Sequence, residues 1–160
     1  MVSRTLALVI MLILTPIAII IALLIYISSG KPIIYWSKRI GVNNIIFDMP
    51  KFRTMKVDVP SIATHMLKNP EDYLTPLGSI LRQTSLDELP QFWSVFRGDI
   101  KFIGPRPALS NQDNLIELRT KLGIDKLVPG ITGWAQVSGR DKLSIKEKVN
   151  QNTECIRLIE

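Results

Sequence analysis

The sequence predicts a helix-rich α+β chain. A membrane-embedded helix over residues 1–30 precedes a small domain over residues 31–160, made of amphipathic interfacial helices and a few short strands. Three observations predict it. Residues 6–27, LALVIMLILTPIAIIIALLIYI, are almost wholly apolar and carry no charge. Brief apolar runs at 33–36 and 45–47 are split by Gly41-Val42-Asn43-Asn44, the composition of a hairpin turn. Leu86, Leu89, Phe92, Trp93 and Phe96 then recur at helical spacing and mark one apolar face. A chain of 160 residues has room for one modest domain beside the membrane segment.

At about 1.5 Å per residue, a straight helix over 6–27 just crosses a bilayer core of about 30 Å. The run is longer than a signal-peptide core, Arg4 is its only basic start, and no small-x-small cleavage site follows. Thr15-Pro16 sits near its middle. Proline removes a backbone donor and crowds the preceding turn, so a break or kink is predicted at these two residues. Two topologies fit. One is a kinked spanning helix in which the neighbouring hydroxyl re-satisfies the freed backbone. The other is a re-entrant hairpin that enters and leaves through the same face. Arg4 on one flank, with Lys31, Lys38 and Arg39 on the other, favours both ends in the cytosol.

Gly30-Lys31-Pro32 ends the apolar segment, and Lys51-Phe52-Arg53-Thr54-Met55 is placed on a strand end or loop. The polar, proline-punctuated stretch 57–75 predicts one short helix near 61–68. Further helices are predicted over 77–83, 85–96 and 114–122. A glycine-punctuated loop follows over 128–140, then a solvated helix over 142–160.

The charge balance is basic, with 20 Lys and Arg against 14 Asp and Glu. Such a chain suits anionic partners such as headgroups and phosphorylated small molecules. Nucleic acid is not expected, because the basic residues form no recognisable binding motif. The lone Cys155 and lone His65 exclude an intramolecular disulfide and a multi-cysteine or histidine metal site, and suit a cytosol-facing domain.

The chemistry concentrates in residues 84–107, TSLDELPQFWSVFRGDIKFIGPRP. Ser85-Leu86-Asp87-Glu88 fits a capping box, with Ser85 as N-cap and Glu88 three residues on, which is an ordinary helix start. The same place also suits catalysis. A helix N-terminus is expected to hold Asp87 ionised, as a carboxylate nucleophile must be. Attack on a diphosphate then needs a divalent cation or guanidinium groups to neutralise the phosphoryl oxygens. Arg106, held between Pro105 and Pro107, reads either as an exposed turn residue or as a rigid phosphate clamp. Lys51 and Arg53 flank Phe52 and point one way from a strand, as a solvated face or a cationic wall. Gly130, Gly133 and Gly139, followed by Arg140, permit close approach to a ligand.

In this order the segments resemble the bacterial sugar transferases, the monotopic phosphoglycosyl transferases. The matching pieces are the Thr15-Pro16 break, KFRTM at 51–55, LRQTSLDELPQFWSVFRGD at 81–99, FIGPRP at 102–107 and PGITGWAQVSGR at 129–140. Their joint occurrence is far more specific than any one alone. The resemblance implies transfer of a sugar 1-phosphate from a UDP-sugar to undecaprenyl phosphate, with release of UMP, at the cytosolic face of the bacterial inner membrane. It implies Asp87 as nucleophile through a covalent phosphosugar intermediate, and Asp87 and Glu88 as holders of Mg2+. Lys51, Arg53, Arg82, Arg106 and Arg140 become the cationic shell around phosphate and nucleotide. The N-terminal segment becomes a re-entrant hairpin. After Lys148 the family usually continues with an acidic-aromatic stretch that residues 147–160, EKVNQNTECIRLIE, do not supply, so this end reads as truncated or divergent. The competing reading is a non-catalytic, membrane-anchored relative that binds the nucleotide sugar or serves as a scaffold. No residue points to a particular sugar, glycan pathway or oligomeric state.

Overall fold

The computed structural model describes residues 2–57, 59, 69–133 and 137. Its elements are helix α1 (Val2–Ser29), strands β1 (Ile34–Ile40) and β2 (Ile46–Phe52), helices α2 (Gly78–Gln83) and α3 (Phe92–Arg97), strand β3 (Lys101–Ile103), helix α4 (Asp113–Lys121) and strand β4 (Gly130–Thr132). Short 3-10 segments lie at Val42–Asn44, Pro70–Tyr73, Leu86–Gln91 and Ile124–Lys126. The result is mixed helix and strand behind a long apolar helix. The helices expected near 61–68 and over 142–160 lie outside the described residues. Two compact units form, one from Met1–Ser37 with Met49–Phe96, the other from Lys38–Asp48 with Arg97–Glu160.

In the first unit, α1 is long and apolar enough to cross a membrane, and most of its surface is left uncovered by the protein. Leu12, Ile13, Ile20 and Ile27 are all more than half exposed. The helix continues through Pro16, so the expected break takes the form of a missing donor rather than a helix end. Thr15 Oγ1 donates to the Met11 carbonyl at 2.7 Å. Proline at 16 frees the carbonyl four residues back, that of Leu12, so this hydroxyl serves the neighbouring carbonyl instead. Gly30 ends the helix in the left-handed region, φ 69°, with its N–H on the Tyr26 carbonyl at 2.9 Å. In the C-terminal half of α1, Ile21 and Ile25 pack with Phe52 of β2 and Leu81 of α2, flanked by Leu86 and Leu89.

The expected single helix over 85–96 is divided. A 3-10 segment runs to Gln91 with Pro90 inside it, and α3 begins at Phe92. Its apolar residues are shared between the core and the surface. The buried residues are Asp87, Gln91, Ser94 and Val95, whereas Trp93 and Phe96 are 41% and 36% exposed. Of the expected apolar stripe, Leu86 and Leu89 pack on the core while Trp93 and Phe96 turn outward, and the polar side chains of Asp87, Gln91 and Ser94 face in.

The second unit is built on ordinary lines. Asn43 and Asn44 take positive φ, 53° and 60°, and turn the hairpin tip between β1 and β2 as the sequence predicts. Ala108, Leu115 and Ile124 make a small apolar core, with Ile40, Ile116 and Leu127 against it. Part of the expected loop over 128–140 is a strand, because β4 pairs in parallel with β3 in the register Lys101 to Gly130 and Ile103 to Thr132. A Cβ at Gly104 or Gly130 would collide with the facing backbone, so this pairing requires both glycines.

Candidate active site

The first unit draws a charged cluster around the carboxylate pair. β2 ends at Phe52, and its Lys51 reaches the 3-10 segment, where Nζ donates to Glu88 Oε1 at 2.7 Å. Both side chains are largely covered, 15% and 21% exposed, so water screens the pair only in part. Thr54, just past the strand, accepts a hydrogen bond from Arg82 Nε at 3.1 Å, and Arg82 Nη2 lies 3.5 Å from Met55 Sδ. α2 presents Arg82 in this way because it starts tight against residue 54, where any side chain at Gly78 would strike the Thr54 carbonyl.

Ser85 is not the N-cap of a capping box. It sits in the left-handed region, φ 58°, and its side chain makes no capping bond. The Glu88 carboxylate goes to Lys51 instead, a bond in which both partners carry charge. The electrostatics of Asp87 also run against the expectation from a helix dipole. Burial pushes its carboxyl above the usual aspartate range; the Lys51 charge opposes this, Glu88 adds to it, and Arg82 opposes it again. A six-residue 3-10 turn supplies too little dipole to outweigh desolvation.

Of the residues singled out from sequence, the structure brings together Asp87, Glu88, Lys51 and Arg82. Arg53 is occupied differently. It is 6% exposed, and its guanidinium donates to the carbonyls of Ser29, Gly30 and Lys31 at the end of α1. Backbone oxygens left over by a helix C-terminus claim it, not an open anion site. Arg106 lies in the second unit, where its carbonyl accepts from Arg119 Nη1 at 2.9 Å. Burial lowers the Arg119 pKa to about 10. Arg140, His65, Cys155 and Trp134 lie outside the described residues.

Gln91 and Ser94 are two further residues of the inward-facing stripe that holds Asp87. Both are buried, and neither Gln91 Nε2 nor Ser94 Oγ has a hydrogen-bond partner. Their spacing from Asp87, four and seven residues, was a usable signal, but it was hidden by the more obvious apolar spacing. Beside the cluster lies an apolar groove of about 480 Å³, lined by Thr15 and Ala18 of α1, Trp36 of β1, Pro50 of β2, and Leu89 and Trp93. Pro50 and Phe52 line the groove from one face of β2, and Lys51 between them points from the other.

Among the described residues no three His, Cys, Asp or Glu side chains gather as a metal cage. The donor set still fits Mg2+. That ion uses one or two carboxylates and completes its shell with water and substrate phosphates, and Asp87 and Glu88 are a close like-charged pair.

Residues 1–159 match the bacterial sugar transferase family. The chain belongs to that family. Among its relatives is the UDP-glucose:undecaprenyl-phosphate glucose-1-phosphate transferase of Escherichia coli K12, 37% identical over 153 residues, which are 93% of this chain and 33% of that protein. The exopolysaccharide production protein ExoY of Sinorhizobium fredii is 32% identical over 90% of this chain and 70% of its own length. The galactosyl transferase CpsE of Streptococcus agalactiae is 34% identical over 73% of this chain and 28% of its own length. The chain thus spans about a third of the Escherichia coli relative.

Proposed function

We propose that this sugar transferase moves a hexose 1-phosphate from a UDP-hexose to undecaprenyl phosphate and releases UMP, the first membrane step of a surface polysaccharide. The observation that carries the proposal is the buried Asp87 carboxyl held between Lys51, Arg82 and Glu88, beside an apolar groove on the membrane helix. Relatives named for glucose 1-phosphate transfer to undecaprenyl phosphate support the substrate class.

In the proposed cycle an Asp87 oxygen attacks the donor's sugar-bearing phosphorus, and the bond from that phosphorus to the bridging oxygen breaks. UMP leaves with that oxygen, and the sugar phosphate stays on Asp87 as an acyl phosphate. An oxygen of the lipid phosphate then attacks the same phosphorus, the bond to Asp87 breaks, and the carboxylate is regenerated. Splitting the transfer in two lets one small site serve a soluble donor and a lipid acceptor in turn. Burial gives the carboxylate weak solvation and hence greater nucleophilicity once ionised, while Lys51 and Arg82 offset the charge of the incoming diphosphate. Asp87 and Glu88 would hold Mg2+, which when bound supplies further neutralisation of phosphoryl charge.

The groove would take the first isoprene units of the acceptor, and exposed Tyr35, Trp36 and Trp93 would lie at headgroup level. α1 would enter the cytoplasmic membrane re-entrantly, bending at Thr15 and Pro16, with the remainder of the chain in the cytosol. The test is UMP release by nanodisc-held protein with Mg2+, from UDP-glucose and UDP-galactose, with and without undecaprenyl phosphate. Sustained release that needs the lipid and disappears in Asp87→Asn supports the proposal. Nucleotide-sugar binding without release by folded protein would instead favour a scaffold.

A further inference from the structure

Residues 51–54 make three separate attachments within four positions. Lys51 pairs with Glu88, Thr54 accepts from Arg82, and Arg53 between them holds the end of the membrane helix. The Arg53 attachment has the most hydrogen bonds, all from Nη1 and Nη2. Nη1 donates to the Lys31 carbonyl at 3.1 Å, and Nη2 to the carbonyls of Gly30, at 2.9 Å, and Ser29. Its own backbone N–H donates to the Ile33 carbonyl at 2.8 Å. Ser29 is the last residue of α1 and Gly30 and Lys31 follow it, so the buried guanidinium fork holds the carbonyl left over at the helix end together with the two that lead away from it. The C-terminal end of α1 is therefore fastened to the same short segment that sets Lys51 against Glu88.

We propose that Arg53 is a positioning residue that fixes the membrane helix to the Lys51–Glu88 pair, and so sets the depth at which the site meets a phosphate on a lipid. It acts through α1 and Lys51 and does not itself touch substrate. The consequence is selective. A lipid acceptor is held at a fixed height by the bilayer, so its capture depends on this fastening. A soluble nucleotide sugar approaches from water and does not depend on it.

The activity half of the test rests on the proposed function, and the depth half does not. Full-length protein with Arg53→Gln or Arg53→Lys is placed in nanodiscs, and tryptophan quenching by lipids brominated at defined acyl carbons gives the depth of the aromatic residues. The KM values for undecaprenyl phosphate and UDP-glucose are measured on the same samples. Arg53→Gln is expected to move the quenching maximum and raise the lipid KM about ten-fold, with the UDP-glucose KM held within about two-fold, since small misplacements of a reacting group have effects of this scale or larger. Arg53→Lys keeps the charge without the fork and falls between. It also carries the test if Arg53→Gln does not fold.

An unchanged depth profile in a folded variant overturns the proposal. So does a rise in UDP-glucose KM with the lipid KM unmoved, which would return Arg53 to the phosphate shell. If the wild-type chain transfers nothing, the proposed function fails, and the depth profile alone decides the role of Arg53.

Discussion

The two compact units of this chain solve opposite problems. Among the described residues, the most deeply buried polar and charged side chains belong to the first unit: Ser37, Arg53, Thr54, Thr75, Asp87, Gln91 and Ser94. The second unit buries Ile100, Ala108, Leu115 and Ile124, keeps the ion pair Lys121–Glu117 exposed and leaves Arg97 of the pair Arg97–Asp99 about half exposed. The first unit also turns Leu12, Ile13, Trp36 and Trp93 outward. A soluble domain gains little from that arrangement, whereas a site working between water and lipid needs both halves of it. The second unit also leaves apolar residues uncovered, at Ile45, Ile46 and Ile103, so what marks the first unit is their combination with deeply buried polar side chains.

The largest expected effect breaks the design at its centre. Asp87→Asn should lower transfer at least about 10³-fold, the scale on which losing a nucleophile acts, as read by UMP release. The same variant should be more stable at neutral pH. The raised carboxyl pKa means that the folded chain favours protonated Asp87, so its contribution to folding is full below the ordinary aspartate range and is lost as pH rises through the raised value. Asparagine has no such loss, and a gain of about 1 kcal/mol is the usual size of such relief. Thermal melts at neutral pH and near pH 3 should show the gain only at the higher pH.

Next in size is the apolar core. Leu115→Ala, in the second unit, should cost about 2–5 kcal/mol in a denaturant melt, as buried leucine truncations do. Trp93→Ala, on the exposed face of the first unit, should cost under about 1 kcal/mol by the same measurement, because surface substitutions seldom cost more. It should instead weaken recovery of the protein with liposomes. Equal stability losses at both positions would erase the contrast between the units.

Smaller shifts sharpen the electrostatics. Lys51→Met removes the strongest charge that opposes the raised Asp87 pKa, so the acid limb of the pH–rate profile should move to higher pH. Arg82→Met should move it the same way by less, and Glu88→Gln should move it to lower pH. The smallest effect belongs to the exposed pair of the second unit: Lys121→Ala should leave both melting temperature and transfer within error.

The same contrast explains what could be read from the sequence. Residues that obey one solvent were legible. The α1 run, the Asn43-Asn44 hairpin tip and the helix near 114–122 appear close to where composition and periodicity put them. The elements that serve two solvents were not. The stripe Leu89, Phe92, Trp93, Phe96 has helical spacing, but spacing does not say whether water, protein or lipid lies beyond it. Ser85 and Glu88 spell a capping box, and only the three-dimensional approach of Lys51 diverts the carboxylate. The charge of Arg53 is visible in the sequence and suits a phosphate, whereas the three carbonyls that occupy it are visible only in the fold.

The central claim is that Asp87 carries the sugar phosphate between donor and lipid. It is tested most directly by the intact mass of nanodisc-held protein mixed with UDP-glucose and Mg2+ in the absence of undecaprenyl phosphate. The account predicts a mass gain of one hexose phosphate, located on the peptide containing Asp87, absent in Asp87→Asn and discharged when the lipid is added. Lipid-dependent UMP release by a protein that never gains this mass would contradict it, and would mean direct transfer from donor to acceptor.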